Sequence, residues 1–202
     1  MPSEELPIPG ARDVQATLDS PDDAAPDAVV VACPPHPQFG GHRGDARLTA
    51  VSEALGERGI ACLRFDYGEW DEGYGEREDA RNALRWAVER YDRVGIFGFS
   101  FGGGTAALAA ATAEVDLSAV SLLAPASKLA PDLDAAAALS DVDAPVQVCY
   151  GVRDTTADWK PLVERARELG HEVVELSSDH FFVGKQEKVA ARVVDFLAPH
   201  LS

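Results

Sequence analysis

Positive charge is what this chain most conspicuously lacks. Eighteen Lys and Arg face 34 Asp and Glu, a formal charge of −16 over 202 residues, and the only lysines are Lys128, Lys160, Lys185 and Lys188. A surface of that sign repels phosphate backbones and anionic lipid, which sets aside a nucleic-acid or polybasic membrane role. It also resembles the acid-rich, lysine-poor surfaces that stay hydrated at high salt, so a salt-loving host is expected. Cysteine is scarce as well: Cys33, Cys62 and Cys149 are an odd number. Each sits in or at the end of an apolar run, where free thiols behave as small buried hydrophobes, and no disulfide framework is expected. No apolar run approaches the ~18 residues needed to cross a bilayer. The segment from Met1 to Pro7 has neither the basic nor the apolar region of a secretory signal, so the expected location is the cytoplasm.

What is present is a core. With 46% hydrophobic residues the chain can bury one compact domain. Short continuous apolar runs read as strands at Val29 to Ala32, Ile60 to Phe65, Val94 to Phe97, Val120 to Leu123, Val146 to Tyr150 and Val173 to Leu176. Runs of this kind suit parallel strands buried on both faces. Between them apolar residues recur at helical spacing: Leu48, Val51 and Leu55; Ala80, Ala83, Leu84 and Ala87; Leu162, Val163, Ala166 and Leu169; Val189, Val193, Phe196 and Leu197. The expectation is an α/β fold, a doubly wound, mostly parallel sheet with helices on both faces. Residues 28–202 form its single domain. Residues 1–27 are rich in Pro and Asp and read as a peripheral extension with one strand at Val14 to Leu18, placed at a sheet edge.

In such a sheet the chemistry lies beyond the carboxyl ends of the strands. After Val94 to Phe97 comes Gly98-Phe99-Ser100-Phe101-Gly102, followed by an alanine-rich helix. This is G-x-S-x-G in the strand-turn-helix setting that exposes a serine nucleophile, with the Phe101 N–H aimed at a developing oxyanion. The bland alternative is a glycine-rich turn whose serine caps a helix. Dinucleotide binding fails on context, because Leu123-Ala124-Pro125-Ala126 stands where its carboxylate belongs.

A serine nucleophile needs a base, and the base an orienting acid. Asp154 follows the strand Val146 to Tyr150, and His180 follows Val173 to Leu176. Serine, acid and histidine thus occur in α/β-hydrolase order at three strand ends. Asp158 and Asp179 are the competing acids; Asp158 reads as a helix cap, and Asp179 is too close in sequence to His180 to reach its far ring nitrogen. The second oxyanion donor is expected in Cys33-Pro34-Pro35-His36-Pro37-Gln38-Phe39-Gly40-Gly41, with His36 favoured and Gln38 next. A zinc set of Cys33, His36 and His42 lacks the paired spacing such sites use, so no metal or other cofactor is expected.

These residues resemble the small, lidless, dienelactone-hydrolase-like branch of the α/β-hydrolases over roughly residues 28–197. Pro35 to Gly41 is similar to its H-P-H-P-hydrophobic-aromatic-G-G loop, Leu63-Arg64-Phe65-Asp66-Tyr67 to its L-R-F-N/D-aromatic strand, and Gly75 to Ala80 to its G-E-x-x-D-A helix start. Gly98 to Gly102 and His180-Phe181-Phe182-Val183-Gly184-Lys185 resemble its G-F-S-F-G and H-F-F-x-G-K signatures. The resemblance implies Ser100, Asp154 and His180 as a triad that hydrolyses esters or related acyl compounds. Two departures stand. The glycine-and-serine-rich stretch after the aromatic is shortened to Gly68 to Tyr74, and true dienelactone hydrolases use cysteine, which weighs against dienelactone as substrate.

Only 22 residues separate Leu123 from Val146, too few for a large cap. The expected pocket is open, with Phe39, Tyr67, Trp70, Phe101 and Phe182 as walls, and its partner is a small-molecule acyl substrate. Thioesterase or peptidase activity with the same triad, and a hydrolase-shaped binding protein without turnover, are the alternatives. A homodimer stays open.

The charge makes a prediction. At −16 the compact state repels itself, and the Debye length falls from ~10 Å at 0.1 M salt to ~3 Å at 1 M. The melting temperature is expected to rise from dilute buffer to molar KCl; an unchanged or lower value refutes the reading.

Overall fold

The computed structural model describes residues 1–10, 12–22 and 25–202. In chain order its elements are β1 (Ser3–Ile8), β2 (Val14–Asp19), β3 (Ala28–Cys33), α1 (Ala46–Gly56), β4 (Ala61–Phe65), α2 (Tyr74–Val88), β5 (Arg93–Phe99), α3 (Phe101–Thr112) and β6 (Ala119–Leu123). Then follow β7 (Lys128–Ala130), β8 (Leu133–Asp134), α4 (Ala135–Ala138), β9 (Val146–Gly151), α5 (Lys160–Glu168), β10 (Glu172–Leu176) and α6 (Gln186–His200).

Eight strands form one sheet in the order β1-β2-β4-β3-β5-β6-β9-β10. From β4 to β10 every neighbouring pair is parallel, whereas β2 pairs antiparallel with both β1 and β4. The strand order reverses at β3 and β5: the chain leaves β3 toward β4 on one side and continues from β5 toward β10 on the other. A reversal of this kind opens a crevice outside the carboxyl ends of the two strands. The loops that follow β3 and β5 flank that crevice.

Both faces of the sheet are covered, which is why its strands carry no polar alternation. Within β3, Val29, Val31 and Cys33 pack toward α2, α3 and α5, while Ala28, Val30 and Ala32 pack toward α1 and α6. Helix α1 starts where the Asp45 carboxylate accepts the Arg47 N–H at 2.9 Å, and it buries Leu48, Val51 and Leu55. All three cysteines are free and buried. Burial pushes the Cys62 and Cys149 thiols up to about 12 and raises Cys33 further, so none supplies a thiolate near neutral pH. Between β6 and β9 only the β7–β8 ribbon, α4 and a short 3₁₀ turn intervene, and among the described residues no cap covers the crevice. Among the same residues, no helix is long and apolar enough to cross a membrane.

The N-terminal residues contribute two strands of this sheet, one more than their sequence suggests, and β2 lies between β1 and β4 rather than at the edge expected of it. β1 is Ser-Glu-Glu-Leu-Pro-Ile, an edge strand that buries only Ile8. Burial therefore imposes no alternation on it, and Pro7 is tolerated at an edge. β2 ends on Asp19, whose carboxylate accepts hydrogen bonds from Ser3 Oγ, Ser52 Oγ and Arg64 Nε, each at 2.6 Å. Burial pulls the Asp19 carboxyl upward, but Arg64, Ser3 and Ser52 outweigh it and hold it below the usual carboxylate value. An acid depressed in the folded state adds stability above its unfolded pKa and loses it as pH falls through the folded one. Asp19→Asn is expected to lower stability at pH 7, and the gap from wild type should close below about pH 4. Asp19→Ala, which strands a partly buried Arg64, should cost about 3 kcal/mol at pH 7. Urea unfolding at pH 7 and pH 3 checks both; an equal Asp19→Asn gap at the two pH values contradicts the account.

Candidate active site

β5 ends at Phe99 and α3 begins at Phe101, which leaves Ser100 alone in the turn at φ 60° and ψ −119°. A non-glycine residue there carries strain of about 1–3 kcal/mol and persists only when its surroundings fix it. The Ser100 N–H donates to the Leu123 carbonyl at 2.9 Å, and the Ser100 carbonyl accepts the N–H groups of Gly103 at 2.9 Å and Ala126 at 3.0 Å. Steric limits dictate the flanking glycines. A Cβ on Gly98 would overlap the Gly102 carbonyl oxygen, and one on Gly102 would overlap the carbonyl oxygens of Cys33 and Pro34.

The Ser100 hydroxyl lies 2.9 Å from His180 Nε2, and His180 Nδ1 lies 2.7 Å from Asp154 Oδ2. The imidazole is buried. Asp154 is fixed in turn, since its Oδ1 accepts the N–H groups of Thr156 at 2.8 Å and Ala157 at 3.2 Å. Of the three acids open in the sequence, the fold brings Asp154 to the histidine. Asp179 Oδ1 accepts the Phe181 and Phe182 N–H groups, at 3.1 and 3.3 Å, and so shapes the turn that carries His180. The exposed Asp158 corrects an expectation: α5 has Trp159 at its N-cap and no side-chain cap.

The loop after β3 arches over the elbow. The His36 carbonyl accepts the N–H groups of Phe39 and Gly41, both at 3.0 Å. Burial pushes the His36 imidazole below its ordinary pKa against the pull of Glu76, and its Nδ1 accepts the Gln38 N–H at 3.3 Å. Gln38 is thereby corrected as a second oxyanion donor, because its N–H is already engaged. Among the described residues the backbone N–H groups of His36 and Phe101 have no partner.

A cavity of about 450 Å³ opens on Ser100 and His180. Its apolar walls are Phe39, Phe99 and Phe181, and an Asp45–Arg47 ion pair, 2.5 Å between Oδ2 and Nη2, lines one side. Phe39 is thus where the sequence placed it, exposed at the mouth, but the other expected walls are not. Phe182 is fully buried against Phe99 on the α6 side, with rings 6.4 Å apart; Phe181, next to it in the chain, takes the place expected of it. Tyr67 is buried edge-on to Phe101 at 5.8 Å and donates its hydroxyl to the Pro34 carbonyl at 3.1 Å. Trp70 and Phe101 stand behind the wall, packed on the His36 ring at 4.6 and 4.8 Å. The sequence reading missed Asp45, Arg47, Phe99 and Phe181. Phe181 was available inside the H-F-F signature, whereas a charged pair in the first turn of a helix carries no signal that distinguishes it from a solvated face.

Residues 64–164 match the model of a family described as X-Pro dipeptidyl-peptidase (S15 family), a span that includes the elbow and Asp154. No curated protein matches the chain. Among solved structures, an alpha-beta serine hydrolase homologue from Coxiella burnetii is 24% identical with a TM-score of 0.82, over 96% of this chain and 97% of that one. A serine hydrolase without a lid from Xanthomonas campestris is 25% identical with a TM-score of 0.79, over 96% and 92%. An esterase of Pyrococcus furiosus is 16% identical with a TM-score of 0.82, over 100% and 93%. The chain is an α/β-hydrolase of the small, lidless kind, and it belongs to the X-Pro dipeptidyl-peptidase (S15) family.

Proposed function

We propose that the protein is a serine esterase acting on small carboxylic esters. The observation that carries the reading is the unbroken chain from Ser100 Oγ through His180 to Asp154, at 2.9 and 2.7 Å, opening on one cavity. As Ser100 Oγ attacks the ester carbonyl, His180 Nε2 takes its proton, and the Asp154 carboxylate on Nδ1 steadies the imidazolium that forms. The free N–H groups of Phe101 and His36 hold the oxyanion, at the amino end of α3 where the helix dipole favours negative charge. Collapse expels the alcohol, protonated by His180, and leaves an acyl group on Ser100. His180 then activates water to release the acid.

The family match favours a second reading, release of X-Pro dipeptides. An enzyme that measures two residues from a peptide's amino terminus must hold an ammonium group, and that calls for an available carboxylate. Besides the acid behind His180, Asp45 is the one carboxylate in the wall among the described residues, and its charge is already paired with Arg47, whose backbone N–H and Nη2 it accepts at 2.9 and 2.5 Å. Ester hydrolysis is therefore the better-supported assignment. A fluorophosphonate probe should label Ser100 stoichiometrically, and 4-nitrophenyl acetate should be turned over far faster than Gly-Pro-4-nitroanilide. Probe labelling absent at Ser100, or the anilide being the better substrate, overturns the proposal.

Two further outcomes follow from the same geometry. With the crevice open and the cavity modest, acetyl and butyryl 4-nitrophenyl esters should react faster than the palmitoyl ester, and a palmitoyl preference would reveal a long acyl groove. Asp154→Asn should keep the melting temperature near wild type while lowering kcat by up to ~10⁴, the size of loss that follows a mis-set histidine tautomer. Asp158→Asn should leave kcat and melting temperature close to wild type; a larger kcat loss there than at Asp154 refutes the choice of acid.

A further inference from the structure

We infer that the esterase selects substrates carrying a carboxylate, and that Arg47 is the residue that selects them. The inference rests on the ester-hydrolysis reading and deepens it to a substrate class. Arg47 lies in the first turn of α1, yet its side chain forms part of the cavity wall that includes Ser100 and His180. Among the described residues it is the one Lys or Arg in that wall. Its guanidinium lies over the Phe99 ring at 4.5 Å, and the same ring packs against the His180 imidazole at 5.2 Å. Cation and base thus share one aromatic neighbour.

The guanidinium is oriented but not saturated. Asp45 accepts from Nη2 at 2.5 Å, and the Phe181 carbonyl accepts from Nη1 at 3.5 Å, the weak end of hydrogen bonding. A guanidinium has five N–H groups, so each outer nitrogen keeps a second one. Nε is buried and has no partner among the described residues. A residue present only to close the first turn of α1 would not need to reach into an aromatic cavity beside the nucleophile. The side chain is only 16% exposed, and in that partly desolvated setting a charge-assisted contact is strong and a planar fork suits a carboxylate. Asp45 has both oxygens engaged on Arg47 and so acts as the group that aims the cation. The surrounding charge of −16 repels anions in general, which makes a single aimed cation the feature that admits one.

The test compares 4-nitrophenyl hexanoate with mono-4-nitrophenyl adipate, whose acyl chains have the same six carbons and differ in a terminal methyl against a terminal carboxylate. The quantity read is the kcat/KM of the adipate ester divided by that of the hexanoate ester. Wild type is expected to favour the adipate ester, through KM. In Arg47→Met the ratio should fall tenfold or more. Arg47→Lys, which keeps the charge and loses the fork, should fall in between, and it also serves if the Met variant does not fold. A ratio within twofold of wild type in a folded variant overturns the inference. If wild type hydrolyses neither ester, the esterase reading fails by itself. Calorimetric titration with adipate then decides the anion site: affinity weakened tenfold or more in Arg47→Met supports it, and absent or unchanged binding overturns it.

Discussion

Close approach of backbone to backbone governs the site: the turn between β5 and α3 passes so tightly under the loop leaving β3 that a side chain is excluded at Gly102, and it folds so tightly on itself that one is excluded at Gly98. The two strands are sheet neighbours, with Cys33 opposite Gly98, so the contact falls at the reversal of strand order where the crevice opens. Holding the chain that close forces Ser100 into its positive-φ conformation and leaves the Phe101 N–H unpartnered. Among the described residues the His36 N–H, in the loop leaving β3, is equally unpartnered. The placement of the Ser100 hydroxyl therefore follows from tight backbone packing on both sides of it. The strain at Ser100, about 1–3 kcal/mol, falls on a residue whose N–H and carbonyl are both bound by the adjacent β6 and its loop.

A second close approach places base beside acid. A Cβ on Gly151, the last residue of β9, would crowd the carbonyl oxygens of Ser178 and Asp179 at 2.7 and 2.8 Å, and the Arg153 N–H donates to the Ser178 carbonyl at 3.0 Å. The loop bearing Asp154 and the loop bearing His180 are thereby laced together before any substrate arrives. With the acid held by two backbone N–H groups and the imidazole buried, little reorganisation remains for the reaction itself, which is the condition under which fixed dipoles stabilise a transition state best.

This explains what was legible in the sequence. Parallel central strands must be apolar on both faces, so β3, β5, β6 and β9 announce themselves, and the residues after them are where chemistry can sit. Ser100, Asp154 and His180 could be picked out because their positions follow from sheet topology. The pocket walls were less legible, because what matters there is the direction of a side chain. Phe181 and Phe182 are adjacent and chemically identical, and only the local turn, with Phe182 at φ 52°, sends one into the cavity and the other into the core. Gln38 ranked next after His36 as a donor, and only the fold shows its N–H engaged by the His36 ring. β1 was illegible for a different reason, since an exposed edge strand carries no burial pattern.

The N-terminal hairpin shows how far the support of the site extends. In the loop between β1 and β2, Arg12 Nε donates to Asp79 Oδ1 at 2.8 Å, and Asp79 Oδ2 accepts the Gly68 N–H at 2.9 Å. The neighbouring carboxylate of Glu76 accepts the N–H groups of Asp71 at 2.9 Å and Gly73 at 2.8 Å. Both acids are completely buried, and burial raises the Asp79 carboxyl despite Gly68 and Arg12. Two buried acids so close together need a cation, and Arg12 supplies it; removing one partner of such a set leaves a buried charge uncompensated. What the set holds in place is the segment from Gly68 to Gly73, and that segment presses Trp70 onto the rings of His36 at 4.6 Å and Phe101 at 5.7 Å. Among the described residues, the backbone N–H groups of both are unpartnered. A hairpin at the far edge of the sheet is thus mechanically continuous with the rings of His36 and Phe101, through one arginine, two carboxylates and one indole.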